Sequence, residues 1–490
     1  MAKHAIAGGA FLMLCAGPAL ADLTAEELWA DWQDVYAGFG ATLTGDATKS
    51  GDTLTISGLT LGFDMGGVQS SSDYGSIELV EQSDGSVSVV VPQRMEVLTT
   101  TTVEGRDVTQ TMQVETGNLA TIVTQDGDAR TYDMTSDRMA YVFEDLANGE
   151  TREPVRGEMV FTDISAIYTN TEDGTSLVTD QTIAASGLTF NAEATGEEGF
   201  SINYALKDLA GETAGTLDMT PKDLETITLA SMGIVLGSQI RHGGSEFAMD
   251  VQTPEGTTSF AGTAAAGSIG IDLGADTLGY TLSSRESEIR AQIASMPIPL
   301  QATMAEVTTA FGLPLGVGGD PKPFAVNLAY RDLALDDALW GLFDPTGQLP
   351  RDAATLILDL SGTAVMNVDI FGGDPEAMAG LQGPPGELKS MELSQLQLTV
   401  AGAELKGTGS LDFPTPGPIP QPVGKVNLTL DGGMALLDKI VALGFVPAEQ
   451  AAFIKGMSGV VARPVGEDQL ESEIEFTEGG GITANGLPLQ

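Results

Sequence analysis

The run Ile77-Glu78-Leu79-Val80-Glu81-Gln82-Ser83-Asp84-Gly85-Ser86-Val87-Ser88-Val89-Val90-Val91 decides the fold. Two stretches rich in β-branched residues flank Asp84-Gly85, a strong hairpin signal, because Gly accepts the positive φ that a tight turn demands. Upstream, Leu54 and Ile56 alternate with Thr until Gly58 interrupts. Downstream, the segment from Thr99 to Val123 is rich in Thr and Val, and Asp126-Gly127 and Asp173-Gly174 mark further turns. Ile183 to Phe190, Phe200 to Leu206 and Gly215 to Met219 carry the same texture. Short strands separated by Gly-containing turns predict antiparallel sheet as far as the proline-rich segment at Met296. The expected class is mainly β with short helices (α+β), built as elongated antiparallel sheets with an open groove as one possible form.

Helices interrupt this pattern at few places. Leu23 to Phe39 reads as one, with Thr24 and Glu27 forming a capping box and Leu28, Trp32, Val35 and Phe39 on one face. The Trp29 and Trp32 pair is read as core packing. Further short helices are expected at Asp137 to Leu146, Met304 to Phe311, Asp336 to Phe343, Met434 to Leu443, and from Pro447 to Lys455. Ile227 to Ile240 reads as a buried strand-turn or helix, too short to span a membrane. Leu393 to Val400 and Glu404 to Phe413 form a hairpin around Gly402. Phe413 to Pro422, with its prolines, reads as an extended link. Leu470 to Phe476 alternates apolar residues with Glu471, Glu473 and Glu475, and a last strand runs from Ile482 to Leu487. Val326-Asn327-Leu328 and Val426-Asn427-Leu428 each open a strand followed by a short apolar helix, a weak internal echo. The expected division is 1–21 signal segment, 22–295 helix and β-rich region, 296–323 Pro/Gly-rich connection, and 324–490 strand-helix-strand region.

The 490 residues carry 22 Lys and Arg against 68 Asp and Glu, a net charge of −46. Phosphate binding needs clustered cations, so this balance excludes nucleic acid as a partner. Lys3 and His4 precede an uncharged apolar run, and Ala19-Leu20-Ala21 presents small residues before Asp22. That pattern predicts an export signal cleaved between Ala21 and Asp22, and a periplasmic location in a Gram-negative cell. Cleavage would remove Cys15 and leave a chain without cysteine, held by core burial rather than disulfides.

Readable catalytic signatures are few. His242 would be the one imidazole of the mature chain, in the glycine-flanked run Arg241-His242-Gly243-Gly244, where a solvated loop is the expected setting. The chain has no G-x-S-x-G elbow, no S-x-x-K pair, no phosphate-binding or dinucleotide glycine loop and no calcium-loop pattern. No catalytic, metal or cofactor-binding residues are therefore assigned, and no cofactor is expected. Paired carboxylates leave no signature, so a carboxylate-dependent hydrolase stays open.

The run from Pro350 to Gly362, Gly424-Lys425-Val426-Asn427-Leu428, the helix Leu436-Leu437-Asp438-Lys439-Ile440 and the ending from Gly481 to Leu489 resemble an alphaproteobacterial exported family called domain of unknown function 2125. More distantly, the ending is similar to the C-terminal parts of YdgA-like and AsmA-like envelope proteins. That resemblance implies a β-rich groove and an association with envelope lipid. The leading expectation is a non-enzymatic exported cell-envelope protein that binds lipid or another apolar ligand, or an envelope protein partner. A structural, scaffolding role and a hydrolase are the alternatives. The apolar stripe of the helix near the C-terminus marks Leu437, Ile440 and Val441 as candidate groove residues.

Overall fold

The computed structural model describes residues 22–489 apart from 39, 66–67, 104–105, 144–154, 196–198, 221–228, 297, 370, 372–383 and 416–420. The expected signal segment with Ala21 lies outside the described residues, and Asp22 is the first one inside.

The period-two texture becomes strands. The first group is β1 (Ala41–Ser50), β2 (Thr53–Met65), β3 (Val68–Asp73), β4 (Ser76–Glu81), β5 (Val87–Val90), β6 (Arg94–Val103), β7 (Arg106–Gly117), β8 (Ala120–Asp126) and β9 (Ala129–Phe143). Then come β10 (Val155–Asp173), β11 (Ser176–Ala194), β12 (Phe200–Asp218), β13 (Ile234–His242), β14 (Gly244–Thr253), β15 (Gly256–Ala264) and β16 (Ala266–Leu273). The sheet continues through β17 (Thr277–Gln292), β18 (Leu300–Pro314), β19 (Lys322–Leu335), β20 (Ala354–Met366), β21 (Gly386–Val400), β22 (Ala403–Thr415) and β23 (Gln421–Asp431). It ends with β24 (Arg463–Gly466), β25 (Gln469–Phe476), β26 (Ile482–Ala484) and β27 (Leu487–Pro488). Among the described residues all 27 strands belong to one sheet. The helices are α1 (Ala25–Gly38), α2 (Asp337–Phe343), α3 (Gly433–Ala442) and α4 (Ala448–Val461).

The connectivity is a meander of long antiparallel strands, several of them broken in the middle. β13 and β14 both pair with β12, β15 and β16 both pair with β17, and β7 and β8 both pair with β9. Each such pair is one strand interrupted at its midpoint. Asn118 sits in the interruption between β7 and β8, and Asp163, Asp208, Glu286 and Asp332 lie near the middle of the continuous strands β10, β12, β17 and β19, all with φ between 49° and 55°. The registers align the interruptions across the sheet. Asp163 falls between Thr162, paired with Arg138, and Ile164, paired with Ser136. Asp208 stands beside the break between β13 and β14, where the Gly243 N–H donates to the Lys207 carbonyl at 2.8 Å. A left-handed residue inside a strand bends it and raises its twist, so a row of them creases the sheet.

The crease closes toward one face. Ser284 and Ser287 flank Glu286, and their hydroxyls meet at 2.8 Å, so the faces carrying them on either side of the break are the same. On that face Ile164, Ala185 and Ser287, close to the crease, are buried. Ile269, Leu282 and Ile289, further out, are 45%, 39% and 50% exposed. The concave side of the sheet is therefore its apolar side.

Helix α1 packs on this same side at the N-terminal end. Thr24 and Glu27 form the expected capping box: the Glu27 N–H donates to the Thr24 hydroxyl at 3.2 Å, and the Thr24 N–H to the Glu27 carboxylate at 3.0 Å. Leu28 and Trp29 enter a core with Leu54, Ile56, Leu79 and Val123. Full burial of each large side chain contributes roughly 1.5–3 kcal/mol. The Ala25 N–H donates to Glu81, which Lys49 also binds at 2.6 Å, so the helix start is tied to β4.

Several expectations hold. Asp84-Gly85 joins β4 to β5, Asp126-Gly127 joins β8 to β9, and Asp173-Gly174 joins β10 to β11. The hairpin around Gly402 is β21–β22. Asp336 caps α2, which ends before Pro345, and a strand-helix-strand unit follows Val326, whereas after Val426 two helices, α3 and α4, precede the next strand.

Others are corrected. Met304 to Phe311 is not a helix but part of β18, paired on one side with β17 and on the other with β19. Val307, Thr309 and Phe311 alternate toward the apolar face, and two neighbouring strands satisfy the backbone better than an isolated short helix can. The supposed connection over 296–323 thus contains a full strand of the sheet. The described part of Asp137 to Leu146 continues β9, because β7 and β10 flank it; its last three residues lie outside the described residues. Ile234 to Ile240 lies in β13, after a short 3-10 turn at Leu229–Ser231. Arg241 to Gly244 is not a solvated loop but the mid-strand break between β13 and β14, with the His242 imidazole against Gly267. The link from Phe413 to Pro422 is narrower than expected, since β22 runs to Thr415 and β23 starts at Gln421; the residues between lie outside the described ones. The last strand splits into β26 and β27 around Asn485 and Gly486, both at positive φ, the tight hairpin that Asn-Gly favours.

Candidate functional site

Cross-strand register builds the candidate site. Residues directly paired across antiparallel strands share a face. From β10 to β17 one such row runs Ala166, Ile183, Gly211, Ile240, Ile269, Leu282. It continues through Thr309, Leu328, Leu358 and Leu396 on β18 to β21. A parallel row two residues along contains Ile271, Tyr280, Phe311, Val326, Leu360 and Leu393. The opposite face of the same strands carries Asp359, Glu392, Asp412, Glu473 and Glu475, with Lys425 bridging the last two. Over β20 to β25 the charge thus lies on the convex side, while the apolar rows run along the concave side. An apolar surface extending over so many strands is larger than the scattered exposed residues of an ordinary surface.

The N-terminal end of this face is closed by α1, and a cavity of about 330 Å³ lies at the junction. Trp32, Val35 and Tyr36 come from α1, Leu43, Leu59 and Leu61 from β1 and β2, and Tyr74, Tyr132, Tyr168 and Asn170 complete the wall. Four of the eight tyrosines in the chain meet here. The Tyr132 and Tyr168 rings lie 5.2 Å apart, and the Trp32 indole N–H donates to the Tyr132 hydroxyl at 2.9 Å. Burial pushes the Tyr132 hydroxyl up to about 12, so it stays protonated. Asn170 is buried; its amide N–H donates to the Tyr168 hydroxyl at 2.6 Å, while its carbonyl oxygen has no partner among the described residues. Beside the cavity, Asp31 pairs with Arg130, and Glu172 stands 3.9 Å from the same guanidinium. Burial raises the Asp31 carboxyl above the ordinary range, against the pull of Arg130.

The helix stripe expected to line a groove lies on α3. Leu437 is buried, and Ile440 and Val441 are half-buried on α3, which packs against β22 and α4. The open apolar surface lies on the strands instead. Asp468 caps α3 from a distant turn, accepting from the Met434 and Ala435 N–H groups at 2.9 Å. Sequence reading missed Asn170 and the four tyrosines, because they are scattered over 134 positions between Tyr36 and Asn170 and only register joins them. The scarcity of tyrosine was the one available signal. Among the described residues no group of three or more His, Cys, Asp or Glu side chains is arranged to hold a metal ion, and no helix is long and apolar enough to cross a membrane.

Fold and site together define a class: a single antiparallel sheet, creased along a line of left-handed residues, whose concave apolar face is covered at its N-terminal end by α1 and open along β10 to β21 among the described residues. The chain belongs to a bacterial family described as "Uncharacterized protein conserved in bacteria (DUF2125)", whose profile matches residues 177–489. No curated protein and no solved structure matches it.

Proposed function

We propose that this is a non-enzymatic, exported protein of the bacterial cell envelope that holds the acyl chains of a lipid along its concave face. The observation that carries the reading is the largely apolar lining from β10 to β21, interrupted by Gly211 and Thr309, with no second layer over it among the described residues. Apolar surface left in water costs roughly 25 cal/mol per Å², and a hydrocarbon chain laid along it recovers that cost without directional bonds. The polar, acidic convex face keeps such a carrier dispersed. Export rests on the charge, the apolar run and the Ala19-Leu20-Ala21 site at the start of the chain.

The test is native mass spectrometry and lipid extraction of protein purified from its own periplasm, followed by titration of the delipidated protein with a fluorescent fatty acid. A co-purifying species with acyl chains and saturable probe uptake are expected. A ligand-free mass together with no probe uptake overturns the reading.

A further inference from the structure

Resting on the lipid reading, we propose that the aromatic cavity under α1 receives the primary ammonium head group of an amphiphile whose chain lies along the apolar face. Three observations converge on a cation with N–H donors. The wall carries Trp32 and four tyrosines, and aromatic side chains attract cations through their quadrupoles, most strongly where water is excluded. The Asn170 carbonyl oxygen, on a side chain that is 9% exposed, has no hydrogen-bond partner in this cavity. An unmet buried acceptor is costly, and an ammonium N–H satisfies it. The nearby charges also favour a cation, since Asp31, Asp34 and Glu172 outnumber Arg130.

The cavity and the apolar rows are continuous. Tyr168 is two residues from Ala166, the first member of the row that leads through Ile183 and Gly211 to Ile240, Ile269 and Leu282. Five inter-strand steps separate Ala166 from Leu282, and at ~4.8 Å per step the row spans about 24 Å. An anionic or hydroxyl head group lacks the positive charge for the tyrosines. A trimethylammonium group has the charge but no N–H for Asn170.

The experiment is displacement of the fluorescent fatty acid by dodecylammonium, dodecyltrimethylammonium and dodecanoate, below their micelle concentrations and at physiological salt, where exposed charges are screened beyond ~8 Å. Dodecylammonium should displace the probe at a concentration at least about tenfold below dodecanoate, with dodecyltrimethylammonium between them. Asn170→Leu should bring dodecylammonium level with dodecyltrimethylammonium and leave dodecanoate unchanged. Tyr36→Ala, at a rim residue that is 37% exposed, should weaken both ammonium compounds several-fold and spare dodecanoate, whose unchanged displacement shows that the variant is folded. Equal potency of all three in the unmodified protein, or an ammonium preference untouched by Tyr36→Ala, overturns the head-group assignment while leaving the apolar-face reading intact. Failure of the probe itself to bind overturns both.

Discussion

Replacing Leu282 by lysine separates an open apolar face from a sealed core. Leu282 is 39% exposed and stands between Ile269 and Thr309 in the long cross-strand row. Full burial of a leucine is worth roughly 1.5–3 kcal/mol, and about three-fifths of this side chain is out of water, so the most that can be lost is about 1–2 kcal/mol. The lysine stem keeps part of that contact while its ammonium reaches solvent, which brings the expected loss to about 1 kcal/mol. In a sealed core the same charge would lie unpaired and cost about 3–5 kcal/mol. Urea unfolding with unchanged slope reads the difference directly. Ile56→Lys, at a fully buried position under α1, serves as the internal standard and should fall in the higher range. In the same Leu282→Lys protein, fatty-acid uptake should weaken at least about tenfold, since a bound chain would have to cover the charge; tenfold is about 1.4 kcal/mol. A loss above about 3 kcal/mol at Leu282, with no uptake by the unmodified protein, refutes the open face.

Other consequences concern the crease, the first helix and the C-terminal helices. Glu286 has φ 50° and is exposed, so Glu286→Gly should raise stability by about 0.5–1 kcal/mol by removing left-handed strain, whereas Glu286→Val should lower it; denaturant midpoints give the sign. Lys49 and the Ala25 N–H hold the Glu81 carboxyl below its ordinary value of 4.5, and the Thr24 hydroxyl and N–H do the same for Glu27. Both folded values lie below the unfolded ones, so their stabilisation is present above about pH 4.5 and is lost as pH falls through the folded values. Tryptophan emission should therefore report loosening of α1 on acidification, with a shallower slope in Glu81→Gln; Asp31, raised by burial, acts in the opposite direction and does not cancel the difference between the two proteins. Leu437→Ala should cost about 2–5 kcal/mol because that side chain is buried, while Ile440→Ala, half-buried, should cost about 1 kcal/mol and leave probe uptake unchanged.

The sequence by itself determined the local chemistry. Period-two alternation and the Asp-Gly pairs determined antiparallel strands and their turns at 84–85, 126–127 and 173–174, because a glycine at positive φ and a β-branched strand are properties of a few adjacent residues. The capping box at Thr24 and Glu27 and the cap at Asp336 were legible for the same reason. Tertiary structure decided the rest. Met304 to Phe311 became a strand because β17 and β19 offer it hydrogen bonds on both edges, which no local pattern records. The crease was hidden because a left-handed residue shifts the alternation within its strand, so Ser284 before Glu286 and Ser287 after it face the same side although their spacing is odd. The apolar row from Ala166 to Leu396 and the meeting of Tyr36, Tyr74, Tyr132 and Tyr168 with Asn170 exist only through register, since neighbours across a sheet are set by pairing and not by distance along the chain.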